Sequence, residues 1–299
     1  MSYITYYTVD VFTSERFGGN QLAVIQDASD IPEYLLQKIA REFNYSETTF
    51  VYPPDKASND CKVRIFTPGL EVPMAGHPTI GTAYVLLSMG IIKPENRNFL
   101  MLEEKVGDIR VDFIHDESGY HSITMNQPLP EFGPVEQDYK LVAGLLSINS
   151  EEIDLDHPIQ SVSCGNNFLY VPLKSLKTVE NLQIRLEILK AAQLQLSSSE
   201  IFVFTNETKY TSSDYHCRMF APLFGVPEDP ATGSAAGPFG CYLVKNGMSD
   251  GSLITVEQGF EIDRPSLLKV HIEGNRDNIT GVKVSGEVVM VSEGKMIIG

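Results

Sequence analysis

Three residues have the side chains and the settings for moving a proton: Glu47, His77 and Asp229. Asp229 lies between Glu228 and Pro230, just ahead of the small-residue run Ala231-Thr232-Gly233-Ser234-Ala235-Ala236-Gly237. An acid there suits the N-cap or first turn of a helix, facing the positive end of the dipole, with acid–base work at a ligand site as the other reading. His77 stands in the matching place of a similar segment, between Gly76 and Pro78. An imidazole titrates near neutral pH and can hydrogen-bond there. Glu47, in Tyr45-Ser46-Glu47-Thr48-Thr49-Phe50-Val51, opens a strand with an apolar face. Spacing alone leaves it either a solvated strand edge or a general base.

The segments around His77 and Asp229 repeat each other. Arg64-Ile65-Phe66-Thr67-Pro68 is followed by Val72-Pro73, and Arg218-Met219-Phe220-Ala221-Pro222 by Val226-Pro227 at the same spacing. Each copy then passes through small residues into an apolar stretch, Ala83 to Met89 in one and Pro238 to Val244 in the other. Small residues let backbone come close to a ligand, and the free N–H groups of a helix's first turn attract anions. Two such starts facing one cleft can grip one small carboxylic acid, which is the expected substrate class.

Other chemistries lack their signatures. Gly76 to Gly81 has no Gly-Lys-Ser/Thr, neither copy fits G-x-G-x-x-G, and no G-x-S-x-G elbow occurs. The six histidines show no ligand spacing and the four cysteines no C-x-x-C pair, so neither a metal nor a cofactor is expected. Cys61, Cys164, Cys217 and Cys241 read as buried thiols of a reducing compartment. The formal net charge of −16, from 39 acidic and 23 basic residues, argues against nucleic-acid or anionic-membrane partners, which need a basic footprint. No signal peptide or membrane-length apolar window is visible, and a cytoplasmic protein is expected.

The elements that must position these residues follow from periodicity and punctuation. Strands are expected at Thr5 to Phe12, Gln21 to Ile25, Glu47 to Tyr52 and Cys61 to Phe66, with a helix from Ile31 to Phe43. A second helix follows Pro78 and ends near Gly90. A strand pair, Phe99 to Lys105 and Ile109 to Phe113, surrounds Gly107-Asp108. Pro128, Pro130 and Pro134 mark the best boundary, giving domains over 1–125 and 126–280, with a final strand in about 280–299 able to pack back on the first. In the second domain, helices are expected near Gln137 to Leu145 and Asn181 to Ala192. Strands are expected at Ile159 to Ser163, Phe168 to Val171, Ile201 to Thr205, His216 to Phe220, Leu253 to Glu257, Leu267 to Ile272 and Val282 to Val291. The second half repeats the order of the first, which points to a tandem duplication, and the excess of hairpin-linked strands favours a mixed α+β class.

The motifs together carry a resemblance. Asp10-Val11-Phe12-Thr13 through Gly18-Gly19-Asn20-Gln21-Leu22-Ala23-Val24, then Ser46-Glu47-Thr48, Ala75-Gly76-His77-Pro78-Thr79 and Asp229-Pro230-Ala231-Thr232-Gly233-Ser234-Ala235 resemble the PhzF-like phenazine biosynthesis family, in its order, from about Tyr7 to Val289. The resemblance implies a diaminopimelate-epimerase-like fold of two similar domains, each a mixed sheet wrapped around a central helix, with the active site in the cleft between them. It also implies a cofactor-independent isomerase that moves a proton between carbons of a small carboxylic acid, dihydro-hydroxyanthranilate-like, and a homodimer. It maps the general acid/base to Glu47, assisting roles to His77 and Asp229, and substrate binding to Ser46, Gly76, Thr232, Gly233 and Ser234. Epimerase relatives carry a cysteine at each helix start, where this sequence has Ala75 and Pro230, so thiol-based racemisation is disfavoured. Epimerisation or dehydration by Glu47 and Asp229 as opposed bases, and non-catalytic binding of a small acid, remain the alternatives.

Overall fold

The computed structural model describes residues 2–94, 97–117 and 119–299. The chain forms two compact units, Met1–Asn126 with Lys283–Gly299, and Gln127–Val282. In chain order the first contains strand β1 (Tyr3–Val11), β2 (Asn20–Ile25), helix α1 (Glu33–Phe43), β3 (Glu47–Tyr52), β4 (Cys61–Phe66), the short β5 (Glu71–Val72), α2 (Gly76–Ser88), β6 (Phe99–Glu104), β7 (Gly107–Asp116) and β8 (Gly119–Gln127). The second contains β9 (Glu131–Val135), α3 (Tyr139–Leu146), β10 (Gln160–Ser163), β11 (Asn167–Pro172), α4 (Leu176–Asn181), α5 (Leu186–Ala192), β12 (Ile201–Thr205), β13 (Tyr215–Ala221), β14 (Val226–Asp229), α6 (Gly233–Lys245), β15 (Ile254–Gln258), β16 (Ser266–Asn275) and most of β17 (Asn278–Gly286). The last strand, β18 (Val288–Ile297), lies antiparallel to β1 in the first unit.

Each unit repeats one pairing scheme. In the first, β1–β2 is antiparallel, β2–β3 parallel, β3–β4 antiparallel, β4–β6 parallel and β6–β7 antiparallel. In the second, β10–β11, β11–β12, β12–β13, β13–β15 and β15–β16 follow the same alternation. The short β5 and β14 lie antiparallel to β4 and β13. The four parallel pairs need crossovers, which α1, α2, the α4–α5 segment and α6 supply in turn.

The central helices are α2 and α6. Tyr84 and Ser88 apart, every residue of α2 is buried, as is every residue of α6 except Lys245. A helix without a polar face can only sit inside a structure. Accordingly α2 packs on β1, β2, β3, β7 and β18, and α6 on β10, β11 and β16. Close approach needs small residues: a Cβ on Gly81 would come within 2.6 Å of Leu22 and 2.8 Å of Val11. Around α6 the core is aromatic, with Phe239 meeting Phe204 at 4.7 Å between ring centres. On the opposite sheet faces, α1 packs Leu36 and Ile39 against Ile25 and Phe50, and α3 to α5 close over Leu169, Val171, Ile201 and Val203. Strand β3 is therefore covered on both sides, which explains its unbroken Thr48 to Val51 burial.

Several boundaries depart from the expectations. The second helix starts at Gly76, two residues before Pro78, because a proline in the first turn removes only an N–H that has no intrahelical acceptor. The helix expected over Asn181 to Ala192 is confined to α5, which starts at Leu186, and a separate α4 ends at Asn181, where Arg218 Nη1 takes the carbonyls of Val179 (2.8 Å) and Leu182 (3.3 Å). The Pro-rich stretch contains β9, which pairs with β10 and accommodates Pro134. The strand expected over Val282 to Val291 breaks at Glu287 into β17 and β18.

Candidate active site

In the first unit, Glu47 is the first residue of β3 and His77 the second of α2. Glu47 Oε2 stands 3.4 Å from His77 Nε2, and the two side chains are 16% and 4% exposed. Burial pulls the His77 pKa down to about 3, only partly offset by a hydrogen bond from the ring to the Gln21 backbone. Nε2 makes no hydrogen bond, so that bond uses Nδ1–H, and the neutral ring presents its Nε2 lone pair to Glu47. Ser46, half-buried, precedes Glu47 at the entry to the strand.

Helix α2 begins with an unusual cap. Its N-cap residue is Ala75, which has no side-chain oxygen to receive the first-turn N–H groups. The Thr79 N–H reaches the Ala75 carbonyl, and Pro78 has no N–H, so Gly76 and His77 carry the two donors that the helix leaves over.

The second unit repeats this device. Thr232 is the N-cap of α6, yet its hydroxyl makes no capping bond and instead donates to Asp229 Oδ2 at 2.6 Å. Ala235 and Ala236 N–H both reach the Thr232 carbonyl, so Gly233 and Ser234 hold the leftover donors. Asp229 is thus neither an N-cap nor a first-turn acid. It ends β14 and holds the cap's hydroxyl away from the helix. Aligning the helix starts matches His77 with Ser234 and Ala75 with Thr232, correcting the pairing of His77 with Asp229 and of Ala75 with Pro230. Both cap positions still lack a thiol, and all four cysteines are buried elsewhere.

Some contributors were not legible in sequence. Gln258, at the end of β15, donates from Nε2 to the Asp229 carbonyl (2.7 Å) and the Thr232 hydroxyl (3.1 Å), while its Oε1 accepts from the Thr232 N–H (3.2 Å). Gln127 Nε2 donates to the Gly233 carbonyl at 2.9 Å. Glu200, next to β12, has its pKa raised to about 7 by burial and by the Asp229 carboxylate. Gln127 sits just before the Pro-rich boundary and Gln258 ends a strand, and no local pattern marks either as part of a helix cap. The described residues contain no cluster of three metal-type side chains, and no described helix is long and apolar enough to cross a membrane.

Comparison with known proteins shows the family and the fold. Residues 9–294 match the family described as phenazine biosynthesis-like protein. The trans-2,3-dihydro-3-hydroxyanthranilate isomerase of Pseudomonas chlororaphis is 35% identical over 294 residues, covering 98% of this chain and 99% of that one. The crystal structure of a PhzF-family phenazine biosynthesis protein from Bacillus anthracis superposes with a TM-score of 0.89 at 28% identity, covering all of both chains. A hydroxyproline epimerase from Agrobacterium vitis shares the fold, with a TM-score of 0.68 at 11% identity over 98% of this chain and 92% of that one.

Proposed function

The chain belongs to the phenazine biosynthesis-like (PhzC–PhzF) family and is an isomerase, and we propose that it moves a proton between two carbons of a small cyclic carboxylic acid resembling trans-2,3-dihydro-3-hydroxyanthranilate, with Glu47 as the single acid/base. The observation that carries this reading is the buried Glu47–His77 contact at 3.4 Å beside an uncapped helix start. The Gly76 and His77 N–H groups take the substrate carboxylate at the positive end of α2. Ionised Glu47 accepts a proton from carbon, the double-bond electrons shift, and the new carboxylic acid returns the proton to a second carbon. Atoms and electrons balance within the substrate, so the step needs no redox partner.

His77 makes the shuttle one-sited. Its pKa near 3 means that it does not take the proton from Glu47, while its lone pair receives a hydrogen bond from the protonated acid between the two half-steps. In the second unit, Asp229, Thr232, Gly233 and Ser234 bind polar groups of the substrate, on a turn held by Gln258. The test is solvent-deuterium incorporation into candidate acids with Glu47→Gln alongside. Full activity of the Gln variant removes Glu47 from the role. Deuterium entering and leaving a single stereocentre indicates epimerisation instead.

A homodimer follows from the family resemblance alone. Light scattering is expected to give twice the 33.2 kDa chain mass, and a monomer at working concentration contradicts it.

A further inference from the structure

Behind the first turn of α2 lies a buried acid that the proposed reaction does not use. Glu104, the last residue of β6, is 7% exposed. Its Oε1 is hydrogen-bonded to the Thr79 hydroxyl, and Thr79 Oγ1 also lies 2.7 Å from the Ala75 carbonyl. A hydroxyl has one hydrogen. A carbonyl can only accept, so when Thr79 donates to Ala75, its bond with Glu104 must run the other way, from a protonated carboxyl. Glu104 Oε2 is buried with no hydrogen-bond partner, a setting that also disfavours the anion.

We propose that Glu104 is a positioning residue for the carboxylate-binding turn: its neutral carboxyl donates to Thr79, Thr79 donates to the Ala75 carbonyl, and this chain fixes the N-cap that aims the Gly76 and His77 N–H groups. The proposal rests on the reading of that turn as the carboxylate site. When Glu104 ionises, Thr79 must turn its hydrogen toward the carboxylate, and the Ala75 carbonyl loses its side-chain donor. A negative charge also then sits behind a turn meant to attract an anion.

The surroundings support a neutral acid. Burial raises the Glu104 pKa to about 8, and the Thr79 bond only partly offsets it. From β4 it is faced by the Cys61 thiol, itself raised by burial and neighbouring carboxylates. Glu104 also borders a surface cleft with Lys62, Arg64, Glu71, Lys105 and Asp108. There Arg64 is engaged by Glu71, and Asp108 by Lys56. His77 is neutral throughout the neutral and alkaline range and does not contribute.

Two measurements test this. Amide hydrogen exchange over residues 75–80, corrected for intrinsic rate, is followed from pH 6 to 9.5 in the wild type and in Glu104→Gln, whose amide donates at every pH. Wild-type protection of this segment should fall severalfold around pH 8 and that of the Gln variant should not, with Thr79→Ser resembling the wild type and Thr79→Val unprotected throughout. Where substrate turnover is observed, the alkaline limb of kcat/KM should move up by a pH unit or more in Glu104→Gln, with neutral-pH rates within about threefold. The same alkaline loss in wild type and Gln variant overturns the proposal. Carboxyl-carbon NMR of Glu104 in the wild type decides independently, since titration below pH 5 also overturns it. The exchange and NMR arms need no substrate, so they stand even if every acid tested for isomerisation fails.

Discussion

At the scale of single residues, the chemistry turns on which side chains are charged. A histidine in contact with a glutamate is usually taken for an ion pair, and at 3.4 Å His77 and Glu47 have the distance for one. Burial decides otherwise, because the desolvation of an imidazolium outweighs the attraction available to it. The expected nitrogen NMR spectrum of His77 is that of a neutral ring protonated at Nδ1 from pH 8 down to about pH 4. An imidazolium signature at pH 6 would contradict the one-residue shuttle. The sequence supplied the identity of this pair through its motifs, but not its electrostatics. Nothing local in Gly76-His77-Pro78 states that the ring is enclosed, and nothing in Leu102-Glu103-Glu104-Lys105 states that the second glutamate points inward while its neighbour Glu103 caps the Asp55 and Lys56 N–H groups.

At the scale of elements, the repeated Arg-x-Phe is scaffolding. Arg64 on β4 pairs with Glu71 on β5 and lies 5.1 Å from the Phe66 ring, and Arg218 on β13 pairs with Glu228 on β14, 4.9 Å from the Phe220 ring. Each arginine thus ties down the short strand that feeds its helix start. On β13, buried His216 binds Glu257 on β15 at 2.7 Å and Glu261 at 3.1 Å. Burial lowers the His216 pKa, but these bonds outweigh it and the net shift is upward. For Glu257 and Glu261 burial raises the pKa, and His216 with other donors brings it below the ordinary value. The raised histidine stabilises the fold fully below its unfolded pKa of about 6.5, and this contribution is lost as pH rises through the folded value. The lowered acids contribute above about 4.5 and lose that contribution on acidification. The gap in thermal midpoint between wild type and His216→Gln should therefore be widest between these values and shrink as pH rises through and above neutrality. A gap constant from pH 5 to 9 would show that His216 is not charged in the fold. Because Glu257 adjoins Gln258, this cluster also anchors the strand end that holds Asp229 and Thr232.

At the scale of the whole molecule, one supersecondary plan is used twice, and the sequence showed this because spacing survives where identity does not. The Arg-to-Val-Pro spacing pointed to a helix start after each copy without fixing its first residue, and alternation located most strands. Three residues of offset between the copies went unseen: the second carries Asp229-Pro230-Ala231 ahead of its cap, so Asp229 looked like a capping acid although Thr232 holds the cap position. Capping is a matter of backbone angles and hydrogen-bond direction, which spacing does not carry. The departure of β18 from its neighbours in sequence to pair with β1 is likewise a long-range event, signalled only by its excess over the repeat. What both copies share chemically is an uncapped first turn, and the first adds an acid beside a neutral imidazole. The measurement that tests this most directly is mass-spectrometric solvent-deuterium incorporation, with purified protein in D₂O, trans-2,3-dihydro-3-hydroxyanthranilate and related unsaturated acids, and Glu47→Gln in parallel. Isomerised product is expected with wild type, and a loss on the order of 10²–10⁴-fold in the Gln variant, with substrate binding retained. Equal turnover by both proteins would contradict it.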